Sequence, residues 1–177
     1  MTVKGHIIFA ISSSILIQHF IFSNMMYHDD WWRIIPASII TCLLPDIDNP
    51  KSILGRKIKI ISYLINKLFG HRGFTHSLLF ILMFGFMIFF INIKLIHVFD
   101  MKIGLLIGYC SHIIADILTP LGVPLFWPYK KKFKLPLITN KFIKEDIFCY
   151  LYLILSIYLL YPICNNIIIK FLNKNNF

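Results

Sequence analysis

Three short segments of this chain hold residue types that can do chemistry together. The first is PDIDNP, residues 45–50, where Asp46 and Asp48 stand two apart in a proline-bounded turn. The second is HRGFTH, residues 71–76, with His71, Arg72 and His76 inside six residues. The third is SHIIAD, residues 111–116, where His112 and Asp116 are four apart and so share one face of a helix. Neutral imidazoles and ionised carboxylates together make the ligand set of a divalent metal, and Asp46 and Asp48 can turn two oxygens toward one ion. Arg72 is one of few arginines among many lysines, and its planar fork suits a phosphate or carboxylate. No Ser or Cys with a matching base stands out, so metal-activated water is the simpler nucleophile.

The elements that must position these residues are strongly apolar. Hydrophobic residues make up 58% of the chain, above the roughly 45–50% of ordinary soluble domains. Residues 77–93 and 147–169 carry no charge, and about 18 apolar residues suffice to cross a bilayer core. We expect one integral membrane domain over residues 1–177, all-α and polytopic. It would have about four to five transmembrane helices plus one amphipathic helix on the surface. The apolar start has no convincing cleavage site and reads as an uncleaved first helix over about 5–26. Trp31 and Trp32 in YHDDWWR suit the interfacial belt. Residues 34–44 form either a short span or a re-entrant helix, since eleven helical residues reach only about 16 Å. Residues 51–69 interleave lysines with apolar residues, as a helix lying on a membrane does. Crossing helices follow from 75 or 77 to 95, from 103 to 118 and from 147 to 169, with a connection holding Asp100. Thr75 is placed to cap the first of these, and Gly73 gives freedom to the loop before it.

Charge then orients the chain. Residues 50–73 and 120–146 are each rich in Lys and Arg, and both belong in the cytoplasm by the positive-inside rule. The two helices between them agree with that placement. Asp46 and Asp48 end a short helix on that side, His71, Arg72 and His76 begin one there, and His112 and Asp116 return to it. Three separate segments thus bring His and Asp to one interface. His6 joins them only if residues 34–44 truly cross; a re-entrant segment would leave the N-terminus outside.

The net charge of +10 is accounted for by these loops, and nucleic acid is not expected as a partner. Membrane lipids are, and nothing in the sequence names a protein partner. The KKKFK run at 130–134 reads as a solvated or lipid-headgroup face. Cys42, Cys110, Cys149 and Cys164 read as small buried hydrophobes, with no disulfide framework. His19 and His97 lack an acidic neighbour and read as structural. Each acid or histidine alone also has a plainer reading, as a turn former or hydrogen-bonded core residue; their convergence favours a site.

CLLPDIDNPKSILG, GHRGFTHSLL and GYCSHIIADILTPLGVPLFWP, in that order, resemble the YdjM-type family of bacterial inner-membrane proteins, over about residues 1–146. The resemblance implies a multi-pass inner-membrane protein with the site of a metal-dependent hydrolase. Past residue 146 the match is only another apolar helix. Carried over by position, the implied ligands are His6, Asp46, Asp48, His71, His76, His112 and Asp116. The implied cofactor is a divalent metal, zinc first, with manganese and iron as alternatives. A more distant similarity is to helical zinc phospholipase C and P1-type nucleases. On this reading Asp48 or Asp116 takes a proton from water and Arg72 holds the anionic group of an ester or phosphoester, such as a lipid. The competing class is a non-catalytic membrane protein that binds metal for structure or serves as a scaffold.

Overall fold

The computed structural model describes residues 1–18, 33–90, 99–139 and 143–174, with side chains described as far as 159. The described residues are all-α, with only isolated β-bridges between loop residues. His19, His97, Trp31 and Trp32 lie outside them, and Cys164 lies beyond the described side chains.

Helix α1 (Val3–Ile17) begins at Thr2, whose hydroxyl accepts the Gly5 N–H at 3.2 Å. Helix α2 (Ile34–Thr41) is followed by a 3-10 turn, Pro45–Asp48, that opens on a proline needing no donor there. The amphipathic stretch expected over 51–69 is broken at Ile58, which leaves helical angles. It becomes α3 (Ile53–Lys57), capped by Ser52, and α4 (Lys59–Phe69). A second 3-10 turn, Phe74–His76, leads into α5 (Leu78–Phe90). Helix α6 (Phe99–Ile117) starts earlier than expected, so Asp100 sits buried in its first turn and not in a connection. Helix α7 is Glu145–Lys174.

One expectation about helix capping changes. Thr75 does not cap α5: the Ser77 hydroxyl accepts the Phe80 N–H at 3.2 Å, and Thr75 is turned to a carboxylate instead. Among the described residues, no helix is long and apolar enough to cross a membrane. Helix α2, with 8 residues, covers only about 12 Å.

The core forms where α1, α2 and α6 pack together and α5 leans on α6. Close approach of α6 to α2 depends on missing side chains. A Cβ on Gly108 would lie 2.1 Å from the Ser38 carbonyl oxygen. Tyr109 is fully buried between Phe80 and Phe84, and its hydroxyl donates to the Thr75 carbonyl. The loop after α6 folds back over the helix ends. Leu135 and Ile138 donate their N–H groups to the carbonyls of Ile117 and Leu118, and Leu78 donates to Leu125. Those bonds satisfy backbone groups that helix termini leave free.

Candidate metal centre

The seven expected ligand residues meet where the ends of α1 and α6, the two 3-10 turns and the connection between α4 and the second turn, which carries His71, come together. Asp116 lies at the C-terminal end of α6, with its Oδ2 3.7 Å from Nε2 of both His76 and His112. Asp46 reaches the same two nitrogens, its Oδ1 3.9 Å from His76 and 3.7 Å from His112. His6 enters from α1: its ring lies flat on that of His112, and its Nε2 is 3.5 Å from Asp116 Oδ1. The sequence ties His6 to a full crossing by residues 34–44. The helix there has only 8 residues, and His6 is in the cluster all the same. Three groups of ligand atoms lie within 4.8 Å of one another: His6, Asp46 and His112; His76, His112 and Asp116; Asp46, Asp48 and His71.

Backbone and side-chain partners fix how the rings face. His112 Nδ1 contacts the Cys42 carbonyl, which can only accept, so that nitrogen carries the proton and Nε2 is left as a lone pair. A ring nitrogen tied outward while its partner faces inward is the usual support for a metal-bound histidine. Asp48 does the same for two more rings. Its Oδ1 is 2.8 Å from His71 Nδ1 and its Oδ2 3.2 Å from His76 Nδ1. Asp48 Oδ2 also accepts the Thr75 hydroxyl at 2.7 Å and the Arg72 backbone N–H at 2.8 Å. Its backbone carbonyl accepts the Asn66 side-chain amide at 2.7 Å. Burial pushes the Asp48 carboxyl up, but hydrogen bonds from His71, His76 and Thr75 outweigh it and hold the group well below the usual carboxylate range. The Asp48 hydrogen bond raises His71 in turn. Asp46, with fewer donors, is raised by burial.

Arg72 binds the other carboxylate. Its Nη2 donates to Asp116 Oδ1 at 2.8 Å, where the Met1 amino group also lies, at 3.1 Å. To reach it, Arg72 takes φ 58°, a left-handed angle that a non-glycine residue holds only under constraint. Gly73 next to it serves close approach, because a Cβ there would lie 2.0 Å from the Phe69 carbonyl oxygen.

The donor set fits a divalent ion. His76 Nε2, His112 Nε2 and Asp116 Oδ2 are buried without a hydrogen-bond partner, as is His6 Nδ1. An unsatisfied buried polar atom is costly, and here several face one another. Tetrahedral zinc bonds of about 2.0–2.1 Å would set ligand atoms about 3.3 Å apart, so spacings of 3.7–3.9 Å need only a small contraction. His71 stands outermost, 42% exposed, and Asp46 is 21% exposed; the other five ligand candidates are buried. Arg72 keeps Nε and Nη1 buried and unpartnered.

Sequence reasoning missed the supporting residues. Thr75 and Asn66 were visible as polar residues near the motifs, but a turn folded over Asp48 leaves no spacing rule. The Cys42 carbonyl carries no sequence signal at all.

The family model described as YdjM inner membrane protein matches residues 1–172. The chain is 42% identical over 150 residues to the inner membrane protein YdjM of Escherichia coli (strain K12), covering 78% of this chain and 71% of that protein. The YdjM protein of Shigella flexneri matches equally. The uncharacterized protein YvsG of Bacillus subtilis (strain 168) is 36% identical over 137 residues, covering 77% of this chain and 79% of its own. No solved structure matches.

Proposed function

The chain belongs to the YdjM inner membrane protein family, and on that premise we propose that it is a metal-dependent hydrolase of esters or phosphoesters, acting at the cytoplasmic face of the bacterial inner membrane. The observation that carries this reading is the set of buried, unpartnered atoms His76 Nε2, His112 Nε2 and Asp116 Oδ2 facing one another. His76, His112 and Asp116 would hold the ion, with His6 completing the set from α1. A divalent ion bound there supplies Lewis acidity toward the substrate and acidifies water. Asp48 orients: it holds His71 and His76 by Nδ1, and its own oxygens are already engaged. Asp46, at the open side, is the carboxylate free to take up a proton. Arg72 presents Nε–H and Nη1–H to an anionic group and steadies the charge that develops on it.

The test is turnover. Metal-loaded protein in mild detergent would be given chromogenic phosphodiesters, phosphomonoesters and phospholipids, beside His76→Ala and Arg72→Ala. Hydrolysis by the parent that both variants lose is the expected result. A fully loaded parent that cleaves none of them would sink the hydrolase reading and leave a metal held for structure.

A further inference from the structure

Helix α4 faces the wrong way for a helix packed on a protein. Its inward side carries Ser62, fully buried, and Asn66, which donates to the Asp48 carbonyl. Its outward side carries Ile60, Leu64 and Leu68, at i, i+4 and i+8, exposed by 79%, 52% and 72%. Burying polar residues while exposing an apolar stripe is unfavourable unless something apolar covers that stripe. Lys59 and Lys67 are exposed on the same helix beside the stripe.

The loop after α6 has the same character. Phe126, Tyr129, Leu135 and Leu137 are exposed there, interleaved with Lys130, Lys131, Lys132 and Lys134. The two elements touch through Trp127, whose ring meets Phe69 at the end of α4 at 5.7 Å and Phe74 at 5.1 Å. His71, the most exposed residue of the metal centre, lies in the short connection between Phe69 and Phe74. Residues 49–76 and 119–139 contain no Asp or Glu.

We propose that α4 and residues 121–137 form one docking surface for the headgroup layer of an anionic bilayer, framing the mouth of the metal centre. The apolar stripe enters the boundary with the acyl chains, and the flanking lysines meet lipid phosphates. A second copy of the chain fits poorly, because a two-fold contact would set these lysines against each other. Nucleic acid would leave Ile60, Leu64 and Leu68 uncovered. The surface stands whether or not the centre turns over a substrate.

The test is hydrogen exchange of the full chain in nanodiscs of phosphatidylcholine, with and without phosphatidylglycerol. Amides of residues 59–69 and 129–135 should exchange about tenfold more slowly with the anionic lipid, and high salt should remove the difference. The variant Lys59→Glu, Lys67→Glu, Lys130→Glu, Lys132→Glu should lose the lipid dependence. Lys102→Glu, at the other end of α6, should keep it. No lipid dependence in the parent, a change confined to one of the two segments, or an unaltered response after charge reversal would each overturn the proposal. The parent comparison decides even if the fourfold variant does not fold. Metal content of the same samples reports on the centre separately, so loss of docking and loss of the centre are told apart.

Discussion

The imidazole of His6 lies on that of His112 with ring centroids 3.8 Å apart and planes 7° from parallel. The stack ties the start of α1 to the end of α6 and brings the His6 imidazole into the metal centre beside those of His71, His76 and His112. His6→Phe keeps the stacked ring and removes its nitrogens. It should fold as the parent does and lose metal affinity by about 10–100-fold, the range seen when one supporting contact of a metal site is removed. Thermal melting and a competitive zinc titration check both halves.

Asp48 is the residue on which the geometry of the two 3-10 turns depends. Asp48→Asn keeps the size but offers an amide where four donors now converge. Leaving buried donors without a carboxylate should cost about 1–3 kcal/mol and free the His71 and His76 rings to turn. Thr75→Val removes one hydrogen bond and should cost about 1 kcal/mol. Denaturant or thermal unfolding of the metal-free protein in detergent should rank the two in that order.

The convergence of the site was legible in the sequence because every ligand candidate is a His or Asp in a polar interruption of an apolar chain. Asp46, Asp48, His71, His76, His112 and Asp116 could be brought to one side by counting helices and loop charges. His6 could not be placed that way, because its position hung on whether residues 34–44 cross. What escaped was the way the rings are held. The Cys42 carbonyl, the Thr75 hydroxyl and the Tyr109 bond to the Thr75 backbone come from how turns stack in space, and backbone acceptors leave no trace in residue type. The break at Ile58 was hidden for a related reason, since the amphipathic period of residues 51–69 reads through it. The reversed facing of α4 appears only once Ser62 and Asn66 are seen to point inward.

Arg72 separates strain from chemistry. A non-glycine residue at φ 58° costs of order 1–3 kcal/mol, which Arg72→Gly would recover while losing the bond to Asp116. Its stability should therefore stay near that of the parent. Loss of the two unpartnered donor nitrogens should lower turnover about 10²–10³-fold, as removing a transition-state donor does elsewhere. Arg72→Lys keeps charge but not the fork and should also fall well short of the parent. Kinetics on any ester found to be cleaved in the substrate screen, with metal content held equal, makes the comparison.

The seam between α2 and α6 gives a prediction about assembly. A side chain at Gly108 would meet the Ser38 carbonyl oxygen at 2.1 Å and the Thr41 hydroxyl at 2.3 Å, so Gly108→Val should cost about 3 kcal/mol or more or prevent folding. Gly85 on α5 has only Leu106 Cδ1 near, at 3.6 Å. Gly85→Ala should be neutral or stabilising by about 0.5–1 kcal/mol, through helix propensity. Yield of folded protein by size-exclusion chromatography distinguishes the two.

Metal content tests the central claim most directly. The purified protein, reconstituted with zinc, manganese or iron and freed of excess, would be assayed by elemental mass spectrometry beside His76→Ala and His112→Ala. The account predicts stoichiometric metal in the parent and its loss in both variants at unchanged folding. A parent that retains none of the three ions, or variants that retain as much as the parent, would contradict it.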